Sequence, residues 1–370
     1  MTSRRLPPFR ADAVGSYLRS ERIHVARADH ADGRIDDAEL RSIEDTEIRT
    51  LIARQEKLGL EAVTDGEFRR AFWHFDFFGG LNGIEIGEGD AGMVFQGSSV
   101  KPLAVKVTGK LGFPTDHPML EHFAFLRDNT THVAKMTIPS PTVLHFRLDT
   151  DALHSDVYAD RDALFADLAA TYRDAVAAFY AAGCRYLQFD DTAWAYLCSE
   201  NELDKARHRG LDVDGIQQAY VTLINDSIRD KPADMVITTH VCRGNFRSGW
   251  ISTGGYEPVA ESLLAHCGYD GYFLEYDSER AGGFEPLRFL PKGDKIVVLG
   301  LITSKSGELE APELVSRRIR EASAFVPLEQ LALSTQCGFA STEEGNVLTE
   351  DEQWAKTKSV IEIAAETWTR

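Results

Sequence analysis

Apolar, β-branched runs alternate along the chain with longer segments of helical periodicity. In the stretch LRSIEDTEIRTLIARQEKLGL (40–60), apolar residues recur three and four positions apart, which is typical of a helix buried on one side. Because strands alternate with helices, the pattern predicts parallel βαβ units. The predicted strands are 11–16, 60–67, 132–140, 184–191, 235–242, 271–277, 295–303 and 331–338. The predicted helices are 36–58, 161–182, 212–229, 256–266, 311–323 and 350–367.

The number of strands favours one class of α/β fold, a (β/α)8 TIM barrel. Such a barrel needs eight strands and typically about 250 residues. The chain has 370 residues, which leaves room for insertions. An open doubly wound sheet is the alternative, but no GxGxxG motif follows the first predicted strand. We therefore predict a single barrel domain over residues 1–370.

The segment 68–131 is too long for a plain connection between the second strand and a helix. It is rich in Phe and Gly, as in FWHFDFFGGLNG (72–83). It also contains two runs that can pair as a hairpin, EIGEGDAGMVFQGS (85–98) and KPLAVKVTGKL (101–111). We predict that this segment is an extended excursion over the barrel mouth.

Net charge and cysteine usage exclude several classes of protein. The formal net charge is -18, so the chain offers little basic surface to neutralise a nucleic acid backbone. No apolar run approaches the roughly 18 residues of a membrane helix, and the N-terminus lacks the apolar stretch of a secretory signal. Five scattered cysteines argue against a disulfide framework. We expect a cytoplasmic protein that binds neither nucleic acid nor membrane; the sequence leaves a homo-oligomer open.

Polar or chemically reactive residues stand at the ends of most predicted strands. In a TIM barrel the carboxyl ends of the strands meet at one face, which carries the active site. Residues far apart in sequence are therefore expected to share one cavity. These strand-end residues are Ser16, Glu67, Ser140, Asp190, Asp191, His240, Cys242, Glu275 and Cys337.

Four of these residues form a candidate metal-binding set. His240 and Cys242 are two apart on a strand, so their side chains point to the same side. Glu275 and Cys337 end later strands and complete the pattern H-x-C-x32-E-x61-C. Zinc favours a tetrahedron of such nitrogen, sulfur and oxygen ligands. A buried cysteine beside a core histidine is the alternative, but a thiol and a carboxylate at the matching strand ends favour zinc.

The remaining cysteines serve as an internal comparison. Cys184 begins its strand and Cys267 precedes the next one, so both belong to the structural face of the barrel. Cys198 follows a strand and lies near the mouth, but no other ligand type accompanies it. We predict that all three are packing residues.

With these motifs in place, the chain resembles the catalytic domain of cobalamin-independent methionine synthase, and in particular its short single-domain relatives. The resemblance extends from VGS (14–16) to QCG (336–338). It implies zinc bound by the H-x-C, Glu and distant Cys ligands named above. It also implies that Gly15, Ser16, Glu67 and Asp190 hold the amino-acid part of homocysteine, since carboxylates pair with an ammonium and turn N–H groups bind a carboxylate. For Glu67 and Asp190, structural pairing with Arg69, Arg70 or a helix N-terminus is the alternative.

The chain also departs from this family in two respects. It lacks the additional N-terminal barrel of the full-length synthase, and Lys305 stands where the family has a histidine thought to protonate the leaving group. We predict catalytic roles for Asp190 and Lys305. An aromatic wall for a flat donor is a further hypothesis, and its members would be Trp73, His74, Phe77, Phe78, Trp194 and Trp250.

The resemblance implies a zinc-dependent S-methyltransferase similar to 5-methyltetrahydropteroyltriglutamate–homocysteine methyltransferase. Its partners would be homocysteine and a methyl donor, either a methylfolate or a methylcorrinoid, and its product methionine. One alternative is a related transferase or lyase acting on another thiol or alkyl group, for example of the epoxide and coenzyme M type. Another is a barrel with a purely structural zinc. The sequence does not assign residues to the methyl donor.

Overall fold

Parallel strands form a curled sheet at the centre of the computed structural model, which describes residues 6–88, 94–95, 98–99, 103–148 and 157–368. Seven of the described strands are hydrogen-bonded in the order β1-β6-β7-β8-β9-β10-β11, and every pairing is parallel. The described strands are β1 (Ala62–Val63), β2 (Asn82–Glu88), β3 (Val94–Phe95), β4 (Ser98–Ser99), β5 (Leu103–Gly112), β6 (Val133–Pro139), β7 (Tyr186–Asp191), β8 (Val236–Val241), β9 (Gly271–Glu275), β10 (Ile296–Ile302) and β11 (Leu331–Thr335). The fold is that of a TIM-barrel-like α/β protein.

Helices connect these strands, and local sequence signals set their ends. The helix at 37–58 begins at Asp36, which forms a reciprocal capping box with Glu39, and it ends at Gly59, whose φ of 99° is left-handed. The described α-helices are α1 (Glu21–Ala31), α2 (Asp37–Leu58), α3 (Phe75–Phe78), α4 (Pro118–Asp128), α5 (Pro141–Arg147), α6 (Arg161–Ala181), α7 (Ala193–Tyr196), α8 (Glu200–His208), α9 (Ile216–Ile228), α10 (Pro312–Ala322) and α11 (Glu350–Trp368). Shorter 3-10 helices occur at Glu279–Ala281, Glu285–Phe289 and Leu328–Gln330, and a π-helix at Glu261–His266. No helix in the described ranges is long and apolar enough to cross a membrane.

The predicted first strand, 11–16, is wrong as a regular strand. Its only ladder contact is an isolated parallel bridge to β11, where the Asp12 N–H donates to the Leu333 carbonyl at 3.1 Å. On its other side, the Thr64 hydroxyl donates to the Gly15 carbonyl at 2.6 Å. The Asp12 carboxylate accepts two backbone N–H groups of its own segment, which competes with sheet pairing. The segment therefore occupies the place between β11 and β1 as irregular extended chain.

The excursion after β1 contains the predicted hairpin. β2 and β5 pair antiparallel, with Ile84 opposite Val107 and Ile86 opposite Val105. β3 and β4 form a second, short antiparallel pair. Parts of the predicted hairpin strands, namely 89–93, 96–97 and 101–102, lie outside the described residues. The excursion then returns through α4 to β6.

The barrel interior contains a buried ion pair. The Lys135 ammonium lies 3.3 Å from the Asp12 carboxylate, and both side chains are fully buried. The ammonium also lies 4.0 Å from the centre of the Phe273 ring. Burial lowers the pKa of Lys135, and the charge of Asp12 opposes that change. The pair ties the irregular first segment to β6.

Candidate metal centre and substrate cavity

The ends of three strands of the same sheet, β8, β9 and β11, bring the four predicted metal ligands together. His240 lies on β8 and Cys242 directly follows that strand, while Glu275 ends β9 and Cys337 follows β11 by two residues. One ligand atom from each residue lies within 4.8 Å of those of the other three. The two sulfur atoms are 3.7 Å apart. The sequence pattern H-x-C…E…C thus corresponds to one compact cluster.

Unpaired polar atoms in this cluster indicate that it is built for a cation. Both ring nitrogens of His240 and the Oε2 atom of Glu275 are buried and have no hydrogen-bond partner among the described residues. Such atoms are costly to bury without a partner. One nitrogen, two sulfurs and one carboxylate oxygen match the ligand types of zinc. The cluster therefore fits a metal ion, and its chemistry suits zinc.

The two thiols respond to each other's charge. Cys337 forms a hydrogen bond with Cys242 and lies near His240, and both contacts hold the pKa of the Cys337 thiol well below its ordinary value. The same hydrogen bond, together with burial, raises the pKa of Cys242 well above the ordinary value. At 3.7 Å apart, the two sulfurs are close enough that ionisation of one thiol disfavours ionisation of the other. A divalent cation between them would favour two thiolates.

Backbone contacts fix the carboxylate ligand. The Arg243 N–H donates to Glu275 Oε1 at 3.0 Å, and the Glu275 N–H donates to the Tyr256 hydroxyl at 3.0 Å. The Arg243 guanidinium lies 4.3 Å from the centre of the Tyr256 ring. Outer contacts of this kind orient ligands and maintain their geometry. One oxygen of Glu275 is thereby anchored, and the other remains available to a metal.

The metal cluster opens onto a cavity that contains the predicted substrate residues. Ser16, Glu67 and Asp190 line it. Three of the cluster residues line it as well: His240, Cys242 and Cys337. Glu275 is fully buried behind them. A small thiol in this cavity can therefore reach both the candidate metal and the carboxylates.

Ser16 belongs to a tight contact between the two ends of the chain. Its hydroxyl accepts the Ala340 N–H at 3.2 Å. A Cβ atom at Gly338 would collide with that hydroxyl, and a Cβ atom at Gly15 would collide with the Glu67 carboxylate. Glycine is thus required at both positions for the backbone to approach the cavity. Gly15 supports the cavity wall rather than lining it.

Glu67 shows the structural pairing that was the alternative to substrate binding. Its carboxylate forms a short ion pair with Arg70, while its backbone has a left-handed φ of 58°. The Asp65 carboxylate accepts the Glu67 N–H at 2.8 Å, which supports this unusual conformation. Arg70 also donates to the Ser341 carbonyl at 2.7 Å. Glu67 thus faces the cavity with one cation already beside it.

Asp190 differs from Glu67 because it has no ion-pair partner within the described ranges. Its Oδ1 atom accepts from the Gln188 amide at 2.7 Å. Burial raises the pKa of Asp190 to about 7; His240 opposes this rise and the charge of Glu67 adds to it. A carboxylate with so high a pKa at a cavity wall is a frequent feature of functional sites. Asp190 therefore has the properties expected of a residue that binds a cationic ligand.

Lys305 lies beside the metal cluster but does not line the cavity. Its ammonium donates to the Asn245 side-chain oxygen at 2.9 Å and to the carbonyls of Gly244 and Gly249 at 3.3 and 3.2 Å. Its charge lowers the pKa of Glu275, against the larger effect of burial. An ammonium has three N–H groups, and all three have an acceptor here. Its predicted role as a catalytic acid stays a prediction.

The other cysteines lie outside the cluster, as predicted. Cys184 and Cys267 are fully buried in the core, and burial raises the pKa of each thiol. Cys198 donates to the Trp194 carbonyl at 3.3 Å. None of the three belongs to the ligand cluster found among the described residues.

The predicted aromatic wall is only partly present. Trp73 and His74 line the cavity. Phe77, Phe78 and Trp194 instead pack in the hydrophobic core, fully buried, so their part of the prediction is wrong. The reason is that α3 and α7 turn these rings toward the barrel helices. Trp250 lies beneath the Arg280 guanidinium at 4.5 Å and does not line the cavity.

Several cavity residues were not singled out from the sequence. They come from the excursion, from α5, from the β7–α7 segment, from the loop after β8 and from the loop after Cys337. Only Arg70 had a local signal, because it follows Glu67 by three residues. These residues include Arg70, Phe72, Arg147, Thr192, Tyr196, Asn245, Ser341 and Thr342.

Fold and site together define a TIM-barrel-like protein with a candidate metal centre at the carboxyl ends of its strands. The chain belongs to the family described as cobalamin-independent synthase, catalytic domain, whose profile matches residues 9–357. The family is of the methionine-synthase type of methyltransferase.

Individual relatives agree with this membership over nearly the whole chain. The uncharacterized protein YxjG of Bacillus subtilis (strain 168) is 50% identical over 367 residues, covering 99% of this chain and 96% of that protein. The crystal structure of a putative vitamin-B12 independent methionine synthase from Listeria monocytogenes is similar, with a TM-score of 0.80, 44% identity and 99% coverage of both chains. A B12-independent methionine synthase from Shewanella sp. W3-18-1, solved in complex with selenomethionine, has a TM-score of 0.73 at 19% identity, covering 97% and 98% of the two chains. That last likeness concerns the fold.

Proposed function

We propose that the chain is a zinc-dependent S-methyltransferase that methylates the thiol of homocysteine to form methionine. The observation that carries this proposal is the shared cavity: ligand atoms of four metal-ligand side chains lie within 4.8 Å of one another, beside the half-buried carboxylate of Asp190, which has no ion-pair partner among the described residues. We also propose that the chain acts as a single domain in the cytoplasm, with the excursion 68–131 over the mouth.

The metal ligands in this proposal are His240, Cys242, Glu275 and Cys337. Zinc bound there would hold the substrate thiol as a thiolate, the nucleophilic form of sulfur at neutral pH. Because a carboxylate oxygen binds zinc more weakly than a thiolate does, Glu275 is the ligand that an incoming sulfur would most readily displace. Lys305 would act through its charge, which favours the anionic forms of the ligands.

The amino-acid part of homocysteine would lie along the opposite wall. Asp190 would bind the α-ammonium, because its carboxylate lines the cavity without a counter-cation among the described residues. The N–H and hydroxyl of Ser16, with the turn at Gly15, would hold the α-carboxylate. Glu67 would add negative charge near the ammonium, moderated by Arg70. Charge-assisted hydrogen bonds of this kind give both affinity and orientation.

A second candidate is a related transferase or lyase that acts on another thiol. The observation in its favour is the Glu67–Arg70 ion pair, which leaves only one carboxylate in the cavity without a cation. A cavity with one unpaired carboxylate would repel a sulfonate thiol such as coenzyme M less than a cavity with two unpaired carboxylates. The two candidates differ in whether the cavity selects an ammonium group.

Calorimetry on the zinc-loaded protein distinguishes these functions. Homocysteine should bind with release of about one proton, since its thiol ionises on binding. Coenzyme M should bind more weakly. Purified protein should then form methionine from homocysteine with 5-methyltetrahydrofolate, its triglutamate or methylcobalamin as donor. The His240→Ala variant, which removes one ligand, should lose zinc, homocysteine binding and turnover together. Tighter binding of coenzyme M would refute the homocysteine assignment and leave the second candidate.

A further inference from the structure

His74 is the second imidazole in the cavity, and nothing in the roles proposed above uses it. Its side chain is 1% exposed, and neither ring nitrogen has a hydrogen-bond partner among the described residues. By contrast, the equally buried His117 interacts through both nitrogens, with the Phe77 carbonyl at 3.0 Å and the Met119 N–H at 3.2 Å. A buried imidazole without partners is costly unless a ligand completes its hydrogen bonds.

Aromatic contacts hold His74 in place at the cavity wall. The centre of its ring lies 4.6 Å from that of Trp73 and 4.0 Å from that of Phe75. Burial lowers its pKa well below the ordinary value, and the charges of Arg147 and Arg70 lower it further. The ring is therefore neutral at pH 7, with one nitrogen able to donate a hydrogen bond and the other able to accept one.

The methyl transfer requires a group of this kind. As the thiolate sulfur forms its bond to the methyl carbon, the bond from that carbon to the leaving atom breaks and its electron pair stays on the leaving atom. A leaving nitrogen or oxygen then takes up one proton, which balances the proton released by the thiol. Lys305 donates to three acceptors and does not line the cavity, whereas His74 does line it.

We propose that His74 contacts the leaving nitrogen or oxygen of the alkyl donor and passes a proton to it. This inference rests on the proposed function and adds to it a catalytic residue and a class of donor. The ring gives one proton to the leaving atom and regains one in place of the proton that the thiol releases, so the protons balance and the ring is neutral again after each turnover. Donors whose leaving atom needs no proton, such as methylcobalamin, do not depend on His74.

The test compares two donors and three variants, all with zinc and homocysteine. His74→Phe keeps the aromatic volume but removes the nitrogens. With 5-methyltetrahydrofolate its kcat should fall at least 100-fold, and with methylcobalamin it should change less than threefold. His74→Ala should regain turnover of 5-methyltetrahydrofolate when imidazole is added to the buffer. His117→Phe, the matched control, should lower the melting temperature and leave kcat with both donors within threefold.

A binding measurement provides a readout independent of turnover. In protein labelled with ¹⁵N-histidine, the ring signals missing from His74→Phe should shift when tetrahydrofolate, the demethylated product, is added. Equal losses with both donors, no loss with either, or unmoved His74 signals would overturn the inference while leaving the proposed function intact. If the wild-type protein methylates homocysteine from neither donor, both fall, and the homocysteine calorimetry shows whether the thiol half of the proposal also fails.

Discussion

Asp190→Asn offers the sharpest measurement on the substrate cavity. The replacement keeps the shape of the side chain and an oxygen that can accept from Gln188, which now donates at 2.7 Å. It removes the charge that would pair with the α-ammonium of homocysteine. Loss of a buried hydrogen bond to a charged group costs about 2–4 kcal/mol. We therefore expect homocysteine affinity to fall between about 30-fold and about 900-fold.

The same variant should have the opposite effect on the stability of the metal-free protein. The pKa of Asp190 rises from its ordinary 3.8 to about 7 in the folded chain, so its ionisation opposes folding. That cost is absent below about pH 4, grows as pH rises, and is complete above about pH 7, where it reaches about 4 kcal/mol. Asp190→Asn should thus match the wild type at pH 4 and unfold at higher denaturant concentration at pH 8.

Calorimetry on the zinc form and denaturant unfolding of the metal-free form measure the two effects separately. Asp191→Asn is the matched control, because Asp191 is the adjacent carboxylate, is fully buried without lining the cavity, and accepts the Ala193 N–H at 2.7 Å. That control should lose stability and keep its homocysteine affinity. A change of less than threefold for Asp190→Asn, with zinc content unchanged, would show that Asp190 does not bind the ammonium.

Further predictions concern the metal, the core and the lysine beside the centre. Cys337→Ser should lose bound zinc by metal analysis, whereas Cys267→Ala should retain it and lose about 1–2 kcal/mol of unfolding free energy; the reverse result would contradict the ligand set. Lys135→Met should cost about 3–5 kcal/mol by leaving Asp12 buried and unpaired, and adding Asp12→Asn should recover part of this in urea unfolding. Lys305→Met should weaken zinc binding in a chelator competition, and unchanged zinc affinity would exclude its electrostatic role.

The ligand cluster was predictable because the positions of its residues along the sequence, at the ends of strands, are enough to identify it. Buried strands are visible as apolar runs, and the carboxyl ends of parallel strands meet by geometry. His240, Cys242, Glu275 and Cys337 needed only the strand order to be placed together. Whether they bind zinc stays a prediction. The helices at 37–58 and 350–368 followed from periodicity in the same way.

Other parts of the site were not predictable because they depend on contacts with no sequence period. The positions of His74 and Arg147 result from the path of the excursion and of α5 across the mouth. The sequence also suggested a regular strand at 11–16. In the structure the Asp12 carboxylate accepts backbone N–H groups from its own segment, and this competes with pairing in the sheet. From the sequence, pairing with Arg70 was the alternative to substrate binding by Glu67. Only the packing in the structure shows that this ion pair forms.

The irregular first segment, 11–16, also affects how the protein folds during its synthesis on the ribosome. The Leu333 N–H donates to the Arg10 carbonyl at 2.9 Å, and Ser16 receives its hydrogen bond from Ala340. At synthesis rates of roughly 5–20 residues per second, the start of the chain waits tens of seconds for these partners. Contacts of this kind also form slowly, because they close loops of more than 300 residues. The substrate cavity therefore stays incomplete until residues 333–340 have been synthesised.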